Sequence, residues 1–320
     1  MSKKDAKKVR SENTANGFAA MHNASHAASL VIVPMLNQAL RFHQQGNLQQ
    51  AASLYDNVLK IDASNFDALH LRGVVESDRG NHESAIRFIG RALSLQRASI
   101  AACQNMGIAL RALKRFDEAL AIYERALALE PKNHELLNNC GNVLLDLGRN
   151  SEALSLYDQA LSLAPNFIDA LDNRGNALRE MHRFDEALAC YTHAQALSPN
   201  FASAHWNEGL CRLLNGDLTE GWKKYEWGWQ VGTRGRVRHF IQPLWLGQQS
   251  LQGSTILLHA EQGFGDTIQF CRYAREVSAL GAHVILEVQP ALKTLLNKLQ
   301  GVDQIIAYGD PLPSFDCHCP

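Results

Sequence analysis

The chain has 320 residues, 46% of them hydrophobic, so it is long enough and apolar enough for two globular units. Its formal charge is −1. This near-neutral balance argues against a protein drawn by its charge to nucleic acid or to an anionic membrane. The seven cysteines are scattered along the chain and lack the close spacing of a disulfide framework, so a reducing cytoplasm is the expected location.

Residues 1–31 are predicted to be a disordered leader. The segment MSKKDAKKVR is basic, but the polar stretch SENTANGF follows it where a signal peptide would have its apolar core. The apolar run SLVIVPML (29–36) is too short to span a bilayer and contains Pro34. We therefore expect no membrane span and a soluble protein.

One sequence pattern recurs every 34 residues through the middle of the chain. RFDEALAIYERALALEP (115–131) returns as RNSEALSLYDQALSLAP (149–165) and as RFDEALACYTHAQALSP (183–199). A period of 34 is that of the tetratricopeptide repeat. The frame extends to six units within 32–233: 32–65, 66–99, 100–133, 134–167, 168–201 and 202–233.

Small and aromatic residues fall in columns of this frame. The small column of the first helix is Ala39, Gly73, Gly107, Gly141, Gly175 and Gly209. Each second helix has its own small column, and tyrosines are predicted to fill the space between units. The pattern resembles tetratricopeptide proteins, and that resemblance implies an α-solenoid whose concave face binds polypeptides. A spacer without a ligand is the alternative.

An asparagine column follows the first helices, although asparagine is a poor residue for a helix interior. Its members are Asn37, Asn105, Asn139, Asn173 and Asn207, with Leu71 interrupting it and Asn142 and Asn176 forming a second row. A carboxamide both donates and accepts, which matches the backbone of an extended peptide. The column resembles the asparagine ladder of O-linked N-acetylglucosamine transferases, which implies that it holds protein chains. Alternatively, these amides bond between adjacent units and serve only the stack.

The sixth unit departs from the repeat pattern. GWKKYEWGW (221–229) places Trp222, Tyr225, Glu226 and Trp229 on one helical face. Such a face either binds a sugar or, as we favour, seals the solenoid against the following domain. Residues 234–253 are predicted to be a linker, and the arginines of RGRVRHF (234–240) either touch phosphate or are solvated.

From residue 254 to 320 the periodicity changes. TILLHAE, AHVILEVQ and VDQIIAYGD predict three buried strands separated by two helical segments, and FDCHCP predicts the start of another strand. This order predicts a partial α/β Rossmann-like unit with a parallel sheet. Cys317, His318 and Cys319 do not predict a metal site, because alternate strand residues face opposite sides and no fourth ligand is evident.

The stretch EQGFGDTIQF (261–270) follows the first predicted strand. Gly263 and Gly265 predict a tight turn, and Asp266 the N-cap of the next helix. Ile268 replaces the third glycine of a dinucleotide fingerprint, so a dehydrogenase is not favoured. A helix cap that complements the helix dipole would be enough to explain Asp266 without any catalytic role.

HAEQGFGDTIQFCRYA resembles the junction in bacterial tetratricopeptide proteins that carry a transferase-like domain, and the element order resembles the N-terminal half of GT-B heptosyltransferases. The resemblance implies that Asp266 is a general base and that a sugar nucleotide is the donor. Since no second half follows, we expect a truncated, inactive transferase-like domain without a cofactor of its own.

The predicted function is therefore a cytoplasmic scaffold that binds extended polypeptide. The alternative is a protein glycosyltransferase, of the O-GlcNAc or heptosyl type, whose repeats recruit the protein acceptor. We expect neither nucleic acid nor a bound metal as a partner.

Overall fold

The computed structural model describes residues 30–232, 238–261 and 263–320. The predicted leader lies outside these residues except for Leu30 and Val31, which are already helical. The chain divides into two compact units, one ending at Pro199 and one covering Asn200–Pro320. They are called the repeat unit and the sheet unit below, and each is described by itself.

The repeat unit consists of paired helices. They are α1 (30–44), α2 (Leu48–Ile61), α3 (Phe66–Asp78), α4 (His82–Leu95), α5 (Ile100–Ala112), α6 (Phe116–Leu129), α7 (His134–Asp146), α8 (Asn150–Leu163), α9 (Ile168–Glu180) and α10 (Phe184–Leu197). From α3 onward the first helix of each pair begins 34 residues after the previous one. The predicted α-solenoid is confirmed.

The glycine column explains why the two helices of a pair approach so closely. A Cβ atom added at Gly141 would lie 2.6 Å from the Tyr157 ring, and one added at Gly175 would lie 2.5 Å from the Tyr191 ring. Each tyrosine therefore packs on the glycine of its own helix pair. The sequence had instead predicted that the tyrosines fill the space between consecutive units. The second-helix alanines Ala51, Ala85, Ala119, Ala153 and Ala187 are fully buried.

Local hydrogen bonds fix where the helices begin. Asn65, Ser99 and Asn133 precede first helices, and the side chain of each accepts the backbone N–H three residues ahead. These caps satisfy donors that the helix itself cannot. The tight turn within a pair requires a left-handed residue, which is Gly148 in one pair but Lys114 (φ 59°) and His182 (φ 56°) in two others.

Consecutive first helices contact one another: α3 with α5, α5 with α7, and α7 with α9. In a curved stack the helices of the inner row are the more closely spaced ones. We therefore take the exposed surface of the first helices as the inner face of the repeat unit, and call it the first-helix face.

The sheet unit begins with helices and continues into a sheet. The elements are α11 (Ala202–Leu214), α12 (Leu218–Tyr225), α13 (Gly228–Val231), β1 (Thr255–His259), α14 (Phe264–Phe270), a 3-10 turn (Cys271–Tyr273), α15 (Ala274–Ala279), β2 (His283–Val288), α16 (Pro290–Leu296), β3 (Gln304–Ala307) and β4 (Cys317–Cys319). Helix α12 has 8 residues where the equivalent α10 has 14, so the repeat pattern is broken there.

All strand pairs are parallel and the strand order is β3-β2-β1-β4. The predicted parallel sheet, with strands that alternate with helices from β1 to β3, is confirmed, and β4 lies where FDCHCP predicts a strand. The chain proceeds outward from β1 to β3 and then crosses to the other side of β1. The carboxyl ends of β1 and β4 therefore form a topological switch point, where open α/β sheets bind ligands.

The predicted linker is packed where the structure describes it. Leu251 is buried among the residues of one sheet face, and the backbone N–H of Trp245 donates to the carbonyl of His318 at 2.8 Å. Arg238, predicted to contact phosphate or solvent, instead pairs with the buried carboxylate of Glu287. The remaining residues of RGRVR lie outside the described chain. No helix in the described ranges has the length and apolar character needed to cross a membrane.

Candidate functional site

The asparagine column links consecutive first helices. The Asn105 Nδ2 lies 2.9 Å from His70 Nε2 on the preceding first helix. Asn173 Nδ2 donates to Asn138 Oδ1 on the preceding first helix at 3.0 Å. These bonds match the alternative in which the amides tie adjacent units together, so part of the column serves the stack.

The same bonds orient the two amides. Burial lowers the pKa of His70, against the opposing influence of Asp67 and of a hydrogen bond with the Ala101 backbone, so the imidazole is neutral at pH 7. Its Nε2 can then accept the Asn105 N–H. In both pairs the amide nitrogen faces the neighbouring helix. The Oδ1 atoms of Asn105 and Asn173 have no hydrogen-bond donor within the described chain.

Other members of the column differ. Asn139 is half-buried and Asn37 exposed, and neither makes a side-chain hydrogen bond with another described residue. Asn207 lies on α11, in the sheet unit. Asn139 lies on α7, between the first helices α5 and α9. Unlike Asn105 and Asn173, its amide makes no hydrogen bond that links these helices.

The second row has a structural role that the sequence interpretation missed. Tyr157 donates its hydroxyl to Asn142 Oδ1 at 2.7 Å, and Tyr191 donates to Asn176 Oδ1 at 2.9 Å. A buried tyrosine hydroxyl requires such an acceptor. Where the equivalent residue is Leu40, the buried Tyr55 hydroxyl has no described partner, and burial raises its pKa to about 12. The recurring spacing of 15 residues between asparagine and tyrosine was the available signal.

Ion pairs also cross between first helices. Arg111 Nε donates to Asp146 Oδ2 at 2.5 Å, and His43 Nε2 lies 2.6 Å from Asp78 Oδ2. In each pair the carboxylate belongs to the last residue of its helix, where the helix dipole disfavours negative charge. The neighbouring basic side chain offsets that cost and fixes the spacing of adjacent first helices.

A second candidate site lies within the sheet unit, at the carboxyl end of β1. A cavity of about 670 Å³ opens there. Its aromatic lining residues are Trp222, Tyr225, Trp245, Phe270 and Tyr273, and its polar ones include His259, Glu261, Asp266, Thr267, Gln269 and Glu287. The predicted aromatic face of α12 thus contributes Trp222 and Tyr225 to a cavity wall, and Trp222 is 47% exposed.

Asp266 lies beside this cavity but not at the predicted N-cap. Helix α14 begins at Phe264, so Gly263 is the N-cap and Asp266 is the third helical residue. Its Oδ2 accepts the Gly263 N–H at 3.2 Å, which closes the first turn. The exposed carboxylate therefore combines a capping bond with access to the cavity.

Neither glycine of the predicted turn adopts a left-handed conformation. Gly263 has φ −70°, Gly265 lies within α14, and neither is among the residues with positive φ. No described atom lies within 4 Å of a Cβ added at Gly265. The described backbone around both positions thus accommodates other residues, and the glycine pair has no conformational explanation in the fold.

A buried polar network on the same sheet end was not predicted. His259 Nε2 lies 3.1 Å from His318 Nδ1, and Arg238 pairs with Glu287 while stacking on Phe240 and Tyr308. Burial, with Arg238 and His318, lowers the pKa of His259 to about 3. His259 is therefore neutral at pH 7, and its Nδ1 is buried without a described partner.

Comparison with known proteins addresses the repeat unit. Models of the tetratricopeptide repeat match residues 36–100, 97–166 and 168–201. The chain is a tetratricopeptide repeat protein over these residues. No curated protein matches the sequence.

Solved structures share the tetratricopeptide fold at low identity. A protein from Parabacteroides merdae is 17% identical with a TM-score of 0.55, over 64% of this chain and 80% of that one. The Cut9–Hcn1 complex of the APC/C gives 18% and 0.57, over 64% and 40%. A thermophilic tetratricopeptide protein of Thermus thermophilus gives 20% and 0.50, over 57% and 99%. At these identities the similarity shows the fold alone.

Proposed function

We propose that the first-helix face of the tetratricopeptide repeats binds an extended polypeptide segment, and that the chain acts as a protein-binding scaffold. The observation that supports this most directly is the orientation of the asparagine column. Bonds to His70 and Asn138 hold the Asn105 and Asn173 nitrogens toward their neighbours. Their Oδ1 atoms are left as preoriented acceptors for the N–H groups of a bound backbone.

An extended backbone is the ligand that such a row suits. Its amides alternate in direction and are the same whatever the side chains, so a row of acceptors binds it with little sequence preference. Because the amides are already fixed by the stack, little side-chain entropy is lost on binding. Each hydrogen bond then contributes about 0.5–1.5 kcal/mol.

Calorimetric titration with an unstructured peptide tests this proposal. We expect Asn105→Ala, Asn139→Ala and Asn173→Ala together to weaken binding by roughly 1 kcal/mol per lost bond. Asn57→Ala with Asn150→Ala, on second helices, is the matched control and should leave affinity unchanged. Unchanged affinity of the triple variant, with its helicity intact, would refute the proposal.

We also propose, as a second candidate function, that the sheet unit is the acceptor side of a glycosyltransferase-like domain. Two observations support it: the strand order β3-β2-β1-β4 and the cavity at the carboxyl end of β1 with Asp266 on its wall. An exposed carboxylate beside such a cavity can take a proton from an acceptor hydroxyl. A sugar nucleotide would be the donor.

The Asp266→Asn variant separates this role from capping. Asparagine keeps an oxygen that can accept the Gly263 N–H but is no longer a base. This second candidate is the alternative to the inactive domain expected from the sequence, because it requires the wild-type chain to transfer labelled sugar to a captured peptide. We then expect the variant to lose that transfer while its tryptophan fluorescence stays native. Absence of transfer by the folded wild-type chain, or transfer unaffected by the substitution, would contradict this second candidate.

A further inference from the structure

We infer that the first-helix face is divided into two halves and selects an extended segment that carries apolar side chains at one end and basic side chains at the other. The inference rests on the proposed peptide binding and adds the chemistry of the partner. Helices α1, α3 and α5 are called the apolar half, and α7 and α9 the polar half.

Cross-helix bonds identify which residues share this face. His43 with Asp78, Asn105 with His70, Arg111 with Asp146, and Asn138 with Asn173 all join consecutive first helices. Residues three or four positions from these lie on the same side of their helices. By that criterion the first-helix face includes one equivalent position in each helix: Leu40, Val74, Ile108, Asn142 and Asn176.

This position changes in character along the stack. In the apolar half Leu40 is 38% exposed and Ile108 is 49% exposed, with Val74 half-buried between them. In the polar half the same position carries Asn142 and Asn176. Within the described chain, α7 and α9 contribute no residue to the exposed large hydrophobic side chains. Exposed aliphatic groups at such a face are sites for burial of a partner's apolar side chains.

Formal charge, counted over whole helices, differs between the two halves in the same way. The apolar half has three carboxylates and three arginines along its helices, and is neutral. The polar half has five carboxylates against two arginines. Asp146 and Glu180 are already paired with Arg111 and Arg179.

Of the other three carboxylates Asp172 is buried, so the exposed ones are Glu135 and Asp169. Both are exposed and lie in the first turns of α7 and α9, where they also complement the helix dipole. Glu135 accepts one bond, from Gln104 Nε2 at 3.1 Å, which leaves its charge without a cation among the described residues. Lysine or arginine side chains of a partner supply that cation.

The two halves together define one occupant. A segment with apolar side chains over α1 to α5 and basic ones over α7 and α9 buries the exposed aliphatic groups and neutralises the surplus carboxylates, while its backbone meets the asparagine column. A segment with acidic side chains in place of the basic ones contacts the same asparagine column and the same apolar half. Its acidic end, however, is repelled by the carboxylates of Glu135 and Asp169.

Fluorescence anisotropy with three labelled peptides of equal length tests this inference. One joins an apolar block to a basic block, one joins the same apolar block to an acidic block, and one is a Gly/Ser chain. At low salt we expect the basic peptide to bind about tenfold or more tighter than the acidic one, a difference of roughly 1.4 kcal/mol, and the gap to narrow as salt is added.

Variants assign the effect to each half. Glu135→Gln with Asp169→Asn should reduce the preference for the basic peptide severalfold, whereas Glu124→Gln with Asp185→Asn, on second helices, should not. Ile108→Asn, which installs the residue of the polar half, should weaken both apolar peptides but not the Gly/Ser chain.

The outcomes separate the two proposals. Equal binding of the basic and acidic peptides overturns the division of the face, and the scaffold function stands. Failure of all three peptides to bind a folded protein overturns peptide binding itself, and the division with it.

Discussion

The repeat unit and the sheet unit specify structure in different ways. In the repeat unit the same structural role recurs at the same position of successive helix pairs. Gly107, Gly141 and Gly175, for example, each leave room for a tyrosine ring. In the sheet unit a structural role depends on one contact between residues far apart in the sequence, such as the ion pair of Arg238 with Glu287. The repeat unit thus reuses one contact along the chain, whereas the sheet unit also contains single long-range contacts that occur once.

All five tryptophans lie between residues 206 and 245, in the sheet unit. Tryptophan fluorescence therefore follows the sheet unit alone, and far-UV circular dichroism follows mainly the helices of the repeat unit. The two signals allow each prediction to be assigned to one unit.

The largest expected effect concerns the buried ion pair of the sheet unit. Arg238→Ala leaves Glu287, which is 1% exposed, as an uncompensated buried carboxylate. We expect the sheet unit to lose about 3–5 kcal/mol of unfolding free energy. Denaturant unfolding followed by tryptophan fluorescence measures it, and the double variant Arg238→Met with Glu287→Leu should recover most of the loss. A single variant as stable as the wild type would contradict the account.

Acid should also destabilise the sheet unit. Because the pKa of His259 is lowered to about 3 in the folded state, its contribution is complete above the unfolded value of about 6.5 and is lost as the pH falls from there toward 3. The loss is up to about 1.4 kcal/mol per pH unit. Fluorescence-detected unfolding between pH 7 and 5 measures this slope, and His259→Gln should flatten it. An unchanged slope in that variant would refute the assignment.

The glycine column should be sensitive to a single methyl group. Gly141→Ala places a Cβ 2.6 Å from Tyr157, and we expect a loss of about 1–3 kcal/mol from overpacking. Thermal unfolding followed by circular dichroism at the helical band measures the effect on the repeat unit. Gly265→Ala, at a helical position with no described atom within 4 Å of the added Cβ, is the control and should not destabilise the sheet unit.

The smallest predicted effect concerns a turn. Lys114 has φ 59°, where the equivalent residue of the next pair is Gly148. Lys114→Gly should relieve left-handed strain and stabilise the repeat unit by up to about 1 kcal/mol. Chemical denaturation followed by circular dichroism measures it, and a clear loss of stability would show that the lysine side chain contributes more than its backbone costs.

The sequence predicted the repeat unit well because its contacts repeat at a fixed separation. The period gave the helix pairs, and the glycine column gave their close approach. The asparagine column was visible too, but the partners of Asn105 and Asn173 were not. These partners, His70 and Asn138, differ in type, and only the fold brings them, from 35 residues earlier in the chain, into contact across consecutive first helices.

The sheet unit was predicted at the level of strands, and much less at the level of contacts. The pairing of Arg238 with Glu287, 49 residues apart, and of His259 with His318, 59 residues apart, leaves no periodic signal. Sequence order alone also misplaced Asp266 by three positions relative to the N-cap, because an exposed glycine occupies that place. Such single contacts between residues far apart in the sequence can be identified only from the folded structure.

The most direct test of the central claim is the affinity of Asn139→Ala for an extended peptide. Asn139 makes no side-chain hydrogen bond with another described residue, so its removal should leave the stack intact and change binding alone. We predict a weakening of about 0.5–1.5 kcal/mol by calorimetry, with unchanged thermal stability. Unchanged affinity in a stably folded variant, at a peptide concentration where the wild type binds, would contradict peptide recognition by the first-helix face.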